Sequence, residues 1–161
     1  MPRSASRSTP LESRLSYRCS MISTRVARFL APMWESRYGL SVDTWRIMAI
    51  IGRYGPLSAK EVATRTSNDA FHVSRAIERL VRMKLVTRDV DPKDRRRAKI
   101  DLTAVGRTAH RDIEKVLNRV EDEILTGLRP HDRDTVRGAL SILDERALAL
   151  AASGLTWRDF I

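Results

Sequence analysis

Residues Leu57 to Thr103 read LSAKEVATRTSNDAFHVSRAIERLVRMKLVTRDVDPKDRRRAKIDLT, and the order of signals in that stretch decides the fold. Ser58 and Glu61 stand in the S-x-x-E spacing of a capping box, in which two orphan amides at a helix start are satisfied reciprocally. The helix they open is short and ends near Thr64–Arg65. Thr66-Ser67-Asn68-Asp69 is a turn whose last residues can cap the next helix. That helix carries Val73, Ile77, Leu80 and Val81 on one side and closes around Lys84 without a glycine. Val86, Arg88 and Val90 then alternate with Thr87, Asp89 and Asp91, a strand signature. Asp91-Pro92-Lys93-Asp94 is turn chemistry, and Ile100 and Leu102 alternate with Lys99 and Asp101 on the return strand. Helix, turn, helix and an arginine-tipped hairpin make a winged helix-turn-helix.

Working outward, Ile22, Val26, Phe29, Leu30 and Met33 fall at helical spacing, so Leu11 to about Arg37 reads as one long amphipathic helix, with a bend at Pro32. Gly39 closes it. Ser41 then caps a helix with Asp43 in its first turn and a largely buried face of Trp45, Met48, Ile50 and Ile51, ended by the segment Gly52 to Gly55. On the far side Thr103 caps a long helix with Ala109, Ile113, Val116, Val120 and Ile124 on one face. Gly127 and Pro130 break it. Asp132 can cap a last helix carrying Val136, Leu140, Leu143 and Ala147, and Trp157 and Phe160 in the tail are expected to pack. The fold class is mainly α with a small β-hairpin: a winged helix-turn-helix flanked by long dimerisation helices. The expected division is a flexible basic arm over 1–10, a DNA-binding lobe over 41–103, and a dimerisation region built from 11–40 and 104–161. One short domain cannot bury all of the outer stripes, and pairing with a second copy is the economical solution.

Charge points to the partner. Thirty Lys and Arg against twenty Asp and Glu leave a net +10 on 161 residues. Residues 1–57 and 58–99 each carry a net +6, while 100–161 carry −2. Positive charge concentrated in this way calls for an anionic partner, and the arginine excess suits bidentate contacts to phosphates and base edges. A lone cysteine, Cys19, excludes an internal disulfide framework and fits a reducing compartment. No apolar run approaches the roughly 20 residues that span a bilayer. A cytoplasmic protein with no membrane partner is the expectation.

The second helix of a helix-turn-helix lies in the major groove. Its exposed face offers Asn68, Phe71, His72, Ser74, Arg75 and Arg79. Arg75 can pair bidentately with guanine, Ser74 can reach a base or a phosphate, and Phe71 can meet a thymine methyl. His72 can donate to a base or a phosphate. Against these stand plainer roles: Phe71 as core, Arg79 as a solvated side chain. The hairpin tip Lys93-Asp94-Arg95-Arg96-Arg97 can lay an arginine into a narrow minor groove, with Asp94 holding a neighbouring guanidinium in position; its alternative is a solvated charge run. No metal-ligand spacing, nucleophile elbow or phosphate loop is present. His72, His110 and His131 are scattered, so no catalytic residue, metal or cofactor is assigned and an enzyme is not expected.

The stretch resembles the MarR family of bacterial transcriptional regulators. The resemblance rests on Gly55-Pro56-Leu57-Ser58, Glu61-Val62-Ala63, Val73-Ser74-Arg75 with Leu80, Leu85-Val86, Arg88, and Asp91-Pro92-x-Asp94-Arg95-Arg96. Leu102-Thr103 and Gly106 complete it. The spacing D-x-R-x5-L-T from Asp94 to Thr103 is its most specific part, and the likeness covers roughly residues 15–150. It implies a homodimer on a pseudo-palindromic double-stranded operator, acting as a ligand-responsive repressor. Arg96 would enter the minor groove with Asp94 as its organiser, Ser58 would touch phosphate, and the first and last two helices would form the dimer. The sequence departs from the pattern at Phe71-His72, where polar or basic residues are commoner, and at Lys84-Leu85, where a glycine usually ends the helix.

Regulators of that kind often take an aromatic acid or its CoA thioester between the dimer helices and the DNA-binding lobe. Tyr17, Trp34 and Trp45 are the candidate aromatic lining here, with Arg18 and Arg46 for a carboxylate or phosphate; core packing is the alternative for each aromatic. Cys19, with Arg18 and Arg25 nearby in sequence, is either an oxidant-sensing thiol or a small buried filler. The competing function is a sequence-tolerant architectural DNA-binding protein, which charge alone would also support.

Overall fold

The computed structural model describes residues 9–66, 68–90 and 98–161. Six helices and one hairpin follow in the order α1 (Leu15–Tyr38), α2 (Val42–Tyr54), α3 (Ala59–Thr66), α4 (Ala70–Arg82), β1 (Val86–Val90), β2 (Ala98–Leu102), α5 (Ala104–Ile124) and α6 (Pro130–Ala152), with 3-10 turns at Leu11–Ser13 and Trp157–Phe160. The chain divides into two compact units, Met1–Asn118 and Arg119–Ile161.

In the first unit the core is made by the faces that helical period turns inward. Ile47, Met48 and Ile51 of α2, Val62 of α3, and Val73, Ile77 and Leu80 of α4 are all buried, together with Leu40, Leu85, Ile100 and Ile113. Each such side chain stabilises the lobe by roughly 1.5–3 kcal/mol relative to leaving it in water. The helix starts are capped as their sequences require. The Ser41 hydroxyl accepts from the Thr44 amide at 3.3 Å. The Ser58 amide donates to the Glu61 carboxylate at 2.7 Å while the Ser58 hydroxyl accepts from the Glu61 amide. Asp69 accepts from the His72 amide at 2.9 Å.

The hairpin is antiparallel, with Val86 opposite Leu102, Arg88 opposite Ile100 and Val90 opposite Ala98. Leu57 adds a bridge on the other side of Ile100, through bonds of 3.0 and 2.8 Å. The start of α3 is therefore stitched to the base of the wing.

Four expectations change. Leu11 to Arg37 is not one helix: an extended Arg14 separates the 3-10 turn from α1. Gly52 itself lies within α2, which runs on to Tyr54 and ends at the C-cap Gly55; a Cβ at Gly52 would come within 2.6 Å of the His110 ring. Asp132 does not cap α6. Arg129 occupies that position and Pro130 the first helical one, while Asp132 sits in the first turn and accepts from Arg129 at 2.8 Å, which holds its carboxyl below the usual range. Trp157 and Phe160 do not pack; they are 69% and 67% exposed.

The end of α4 shows how the missing glycine is tolerated. Lys84 itself takes the left-handed conformation, φ 57°, with its amide on the Val81 carbonyl and the Leu85 amide on the Leu80 carbonyl. This is the Schellman closure that usually recruits glycine. Lys84→Gly is expected to raise unfolding stability by about 0.5–1 kcal/mol in urea melts, since it removes a left-handed non-glycine residue. Gly106 is the opposite case: a Cβ there would stand 1.9 Å from the Leu85 carbonyl oxygen, a backbone atom that cannot swing aside. Gly106→Ala should lower stability by about 1–3 kcal/mol in the same measurement.

Candidate nucleic-acid interface

Helix α4 buries Val73, Ile77 and Leu80, so its opposite edge must face outward, and that edge carries Phe71, Arg75, Glu78, Arg79 and Arg82. Phe71 is 70% exposed, which removes the reading of it as core. An apolar ring left in water at the first turn of a helix has no packing role within this chain. It does carry the Arg75 guanidinium, 5.7 Å from its centroid, one helical turn further on. Stacking of this kind narrows the poses of a long cation at small energetic cost.

The neighbouring polar side chains are held by carboxylates. His72 Nε2 lies 3.9 Å from the Asp43 carboxylate at the start of α2. The Ser74 hydroxyl donates to Glu78 at 3.5 Å, within the same helix. Arg79 is not simply solvated: its Nη2 donates to the Gly39 carbonyl at 3.0 Å. Together with Ser41, Asp43 and Thr44 of the α2 start, Phe71, His72, Arg75 and Arg79 line a groove of about 520 Å³ between α2 and α4; Ser74 and Glu78 do not. Sequence reasoning missed the α2 wall, because Asp43 reads only as a helix-start charge and nothing in linear spacing brings residues 41–44 to residues 71–82.

Asn68 stands apart from the α4 edge. It precedes the Asp69 cap and lines a second groove, about 380 Å³, with Trp45, Arg46, Ile50, Thr66 and Leu117. Ser58 is at the start of α3 with its hydroxyl donating to Glu61 at 2.7 Å. Lys93, Asp94, Arg95, Arg96 and Arg97 lie outside the described residues, as do Ser67 and residues 1–8.

Of the five residues proposed to hold a small aromatic ligand, two line that second groove, Trp45 and Arg46. Trp34 is buried beside Trp45, ring centroids 6.1 Å apart, and its indole N–H has no hydrogen-bond partner among the described residues. Arg46 also donates to Ser23 at 3.0 Å, fastening α2 to α1. Tyr17 and Arg18 sit in the first turns of α1 and line neither groove; Arg18 donates instead to the Glu12 carbonyl. Cys19 is exposed, so the buried-filler reading of it does not hold in the single chain. No described helix is long and apolar enough to cross a membrane.

Residues 40–106 match the family model for a winged helix DNA-binding domain. The HTH-type transcriptional regulator TcaR of Staphylococcus aureus (strain Newman) is 25% identical over 114 residues, covering 70% of this chain and 75% of TcaR. Among solved structures, that of MarR is similar with a TM-score of 0.77 at 23% identity, covering 93% of this chain and 99% of that one. The S. aureus MepR–DNA complex is similar with a TM-score of 0.72 at 20% identity, covering 83% and 98%. The chain thus contains a winged helix DNA-binding domain over residues 40–106, and its fold is similar to that of MarR.

Proposed function

We propose that the protein is a homodimeric, ligand-responsive repressor that binds a pseudo-palindromic operator, in the cytoplasm, with one α4 in each of two major-groove half-sites. The observation that carries this reading is the outward edge of α4, where an exposed Phe71 supports Arg75 beside Ser74. That trio suits a guanine read by Arg75 next to a thymine methyl met by Phe71. The similar MepR structure is a DNA complex, which supports DNA as the partner. Half-sites one helical turn apart, about 34 Å, would match a two-fold protein. Ser58 and the amides near it would meet phosphate. In the wing, Lys93, Arg95 and Arg97 would contact the backbone, and Arg96, organised by Asp94, would enter the minor groove.

Dimerisation is supported by apolar surface that a single chain leaves uncovered. No residue of α6 is buried, and Leu140, Ile142, Leu148 and Leu150 are exposed on it, as are Leu15, Ile22 and Phe29 on α1. Exposed stripes of that extent mark an interface. The proposed division is an arm over 1–10, dimer helices over 11–40 and 104–161, and a DNA-binding lobe over 41–103. The groove beside Trp45 and Arg46 is the proposed seat of an aromatic acid or aryl-CoA effector, the indole supplying an apolar wall and the guanidinium meeting a carboxylate. Cys19, exposed on α1, is a second entry point for regulation if oxidation replaces ligand.

A sequence-tolerant architectural role predicts equal affinity for any duplex. The proposed repressor instead gains roughly 10³–10⁷-fold on its operator. Fluorescence anisotropy with the fragment upstream of its own gene and with a scrambled fragment decides between them; equal affinities with equal salt slopes would overturn the repressor reading. Arg96→Ala is expected to weaken operator binding by about 1–3 kcal/mol, roughly five- to 150-fold, while sedimentation still reports a dimer. An unchanged anisotropy curve removes Arg96 from the site.

A further inference from the structure

Arg79 lies on the same outward edge as Arg75, yet its surroundings differ. Its Nη2 donates at 3.0 Å to the carbonyl of Gly39, the left-handed residue that terminates α1 at φ 65°. The Gly39 amide already donates to Glu35 and the Leu40 amide to Trp34, so the last turn of α1 is closed from within. The Gly39 carbonyl, by contrast, faces α4. A guanidinium there also meets the negative end of the α1 dipole. One turn further on, Met83, the C-cap of α4, reaches the same glycine: its Cε is 3.4 Å from where a Cβ on Gly39 would be. Two side chains at i and i+4 of the recognition helix thus clasp one residue of α1.

We infer that Arg79 is a positioning residue and not a DNA contact: it ties α4 to the C-terminal cap of α1 and so sets the pose in which Phe71 and Arg75 meet the duplex. The tie lies where α1 is anchored to the rest of the lobe. Trp34 packs on Trp45 of α2 and the Tyr38 hydroxyl donates to Asp112 of α5 at 2.9 Å. A displacement of α1 therefore has a polar path to the recognition helix through Gly39, beside the core path through Trp34 and Trp45. The inference rests on the reading of α4 as the major-groove helix.

The test compares wild type with Arg79→Met, which keeps the apolar stem and loses every donor, and Arg79→Lys, which keeps a charged donor. Arg75→Ala serves as the contact control. Binding to the operator fragment and to a scrambled duplex is followed by anisotropy over a salt series, with hydrogen exchange of the DNA-free proteins over residues 35–41. Arg79→Met is expected to lose about two- to thirtyfold in operator affinity with an unchanged salt slope and unchanged scrambled-duplex binding. Exchange at Gly39–Leu40 should quicken, and Arg79→Lys should recover most of both effects.

A phosphate contact would lower the salt slope by about one unit and weaken both duplexes alike; that result, or wild-type operator affinity in Arg79→Met, overturns the inference. Unchanged exchange at Gly39–Leu40 overturns it as well, and where Arg79→Met is too unstable for titration, Arg79→Gln, which also removes the charge, supplies the slope. Failure of the wild-type protein to prefer the operator fragment counts against the repressor reading alone, since the exchange measurement still decides whether Arg79 ties α4 to α1.

Discussion

The lobe depends on one crowded joint, where the end of α4, the base of the wing and the start of α5 meet within a few ångströms. The Thr103 hydroxyl donates to the Lys84 carbonyl at 2.7 Å and accepts from the Gly106 amide at 2.9 Å, while the Thr103 amide donates to the Leu85 carbonyl at 3.0 Å. One small side chain thereby satisfies an orphan carbonyl at a helix end and an orphan amide at a helix start. The approach is close enough that only hydrogen fits on Gly106. Because the strands on either side of this joint are paired from Val86–Leu102 outward, the orientation of the wing relative to α4 is fixed there, and Leu57 repeats the fixing from the α3 side.

A second set of contacts joins α1, α2 and α5, and it is polar and aromatic. Trp34, Trp45 and His110 follow one another with centroid distances of 6.1 and 5.6 Å. Tyr38 donates to Asp112, and burial followed by that hydrogen bond raises the phenol above its ordinary pKa, so it remains a donor throughout the neutral range. Arg46 reaches Ser23, and Arg37 lies 3.5 Å from Asp112. Exposed ion pairs such as the last contribute little by themselves. Directional contacts of this type fix how the helices are rotated more than they add to stability, which suits helices that frame an open groove.

Much of this was legible in the sequence because the decisive signals are local. Capping boxes act over three residues, so Ser58 and Glu61 announced α3 without tertiary information. The one-sided stripe of Val73, Ile77 and Leu80 announced α4, and the alternation around Ile100 announced the wing. What failed was long-range or depended on competition between neighbours. Asp132 looked like a cap until Arg129 and Pro130 took the positions before it. The reason Gly52 carries no side chain, its close approach to His110 58 residues later, is invisible in linear order. Phe71 was ambiguous on hydrophobicity alone; only its place on the edge opposite Val73 and Ile77 puts it in water. Arg79 is the clearest instance, since no spacing rule links it to Gly39, 40 residues earlier.

The distribution of acids on this surface also bears on specificity. A protein that held DNA through phosphates alone would gain nothing from carboxylates on its binding face, because each would repel the backbone. Here Asp43 faces His72, Glu78 accepts from Ser74 and Asp69 caps the start of α4. Every one of them restrains a donor or the helix that carries it. Restraining donors lowers affinity for an arbitrary duplex and favours a duplex whose acceptors match the restrained pose. On the proposed docking of α4, the interleaved acids and the exposed Phe71 ring, which has no use against phosphate, favour a reader of sequence over a general binder of charge.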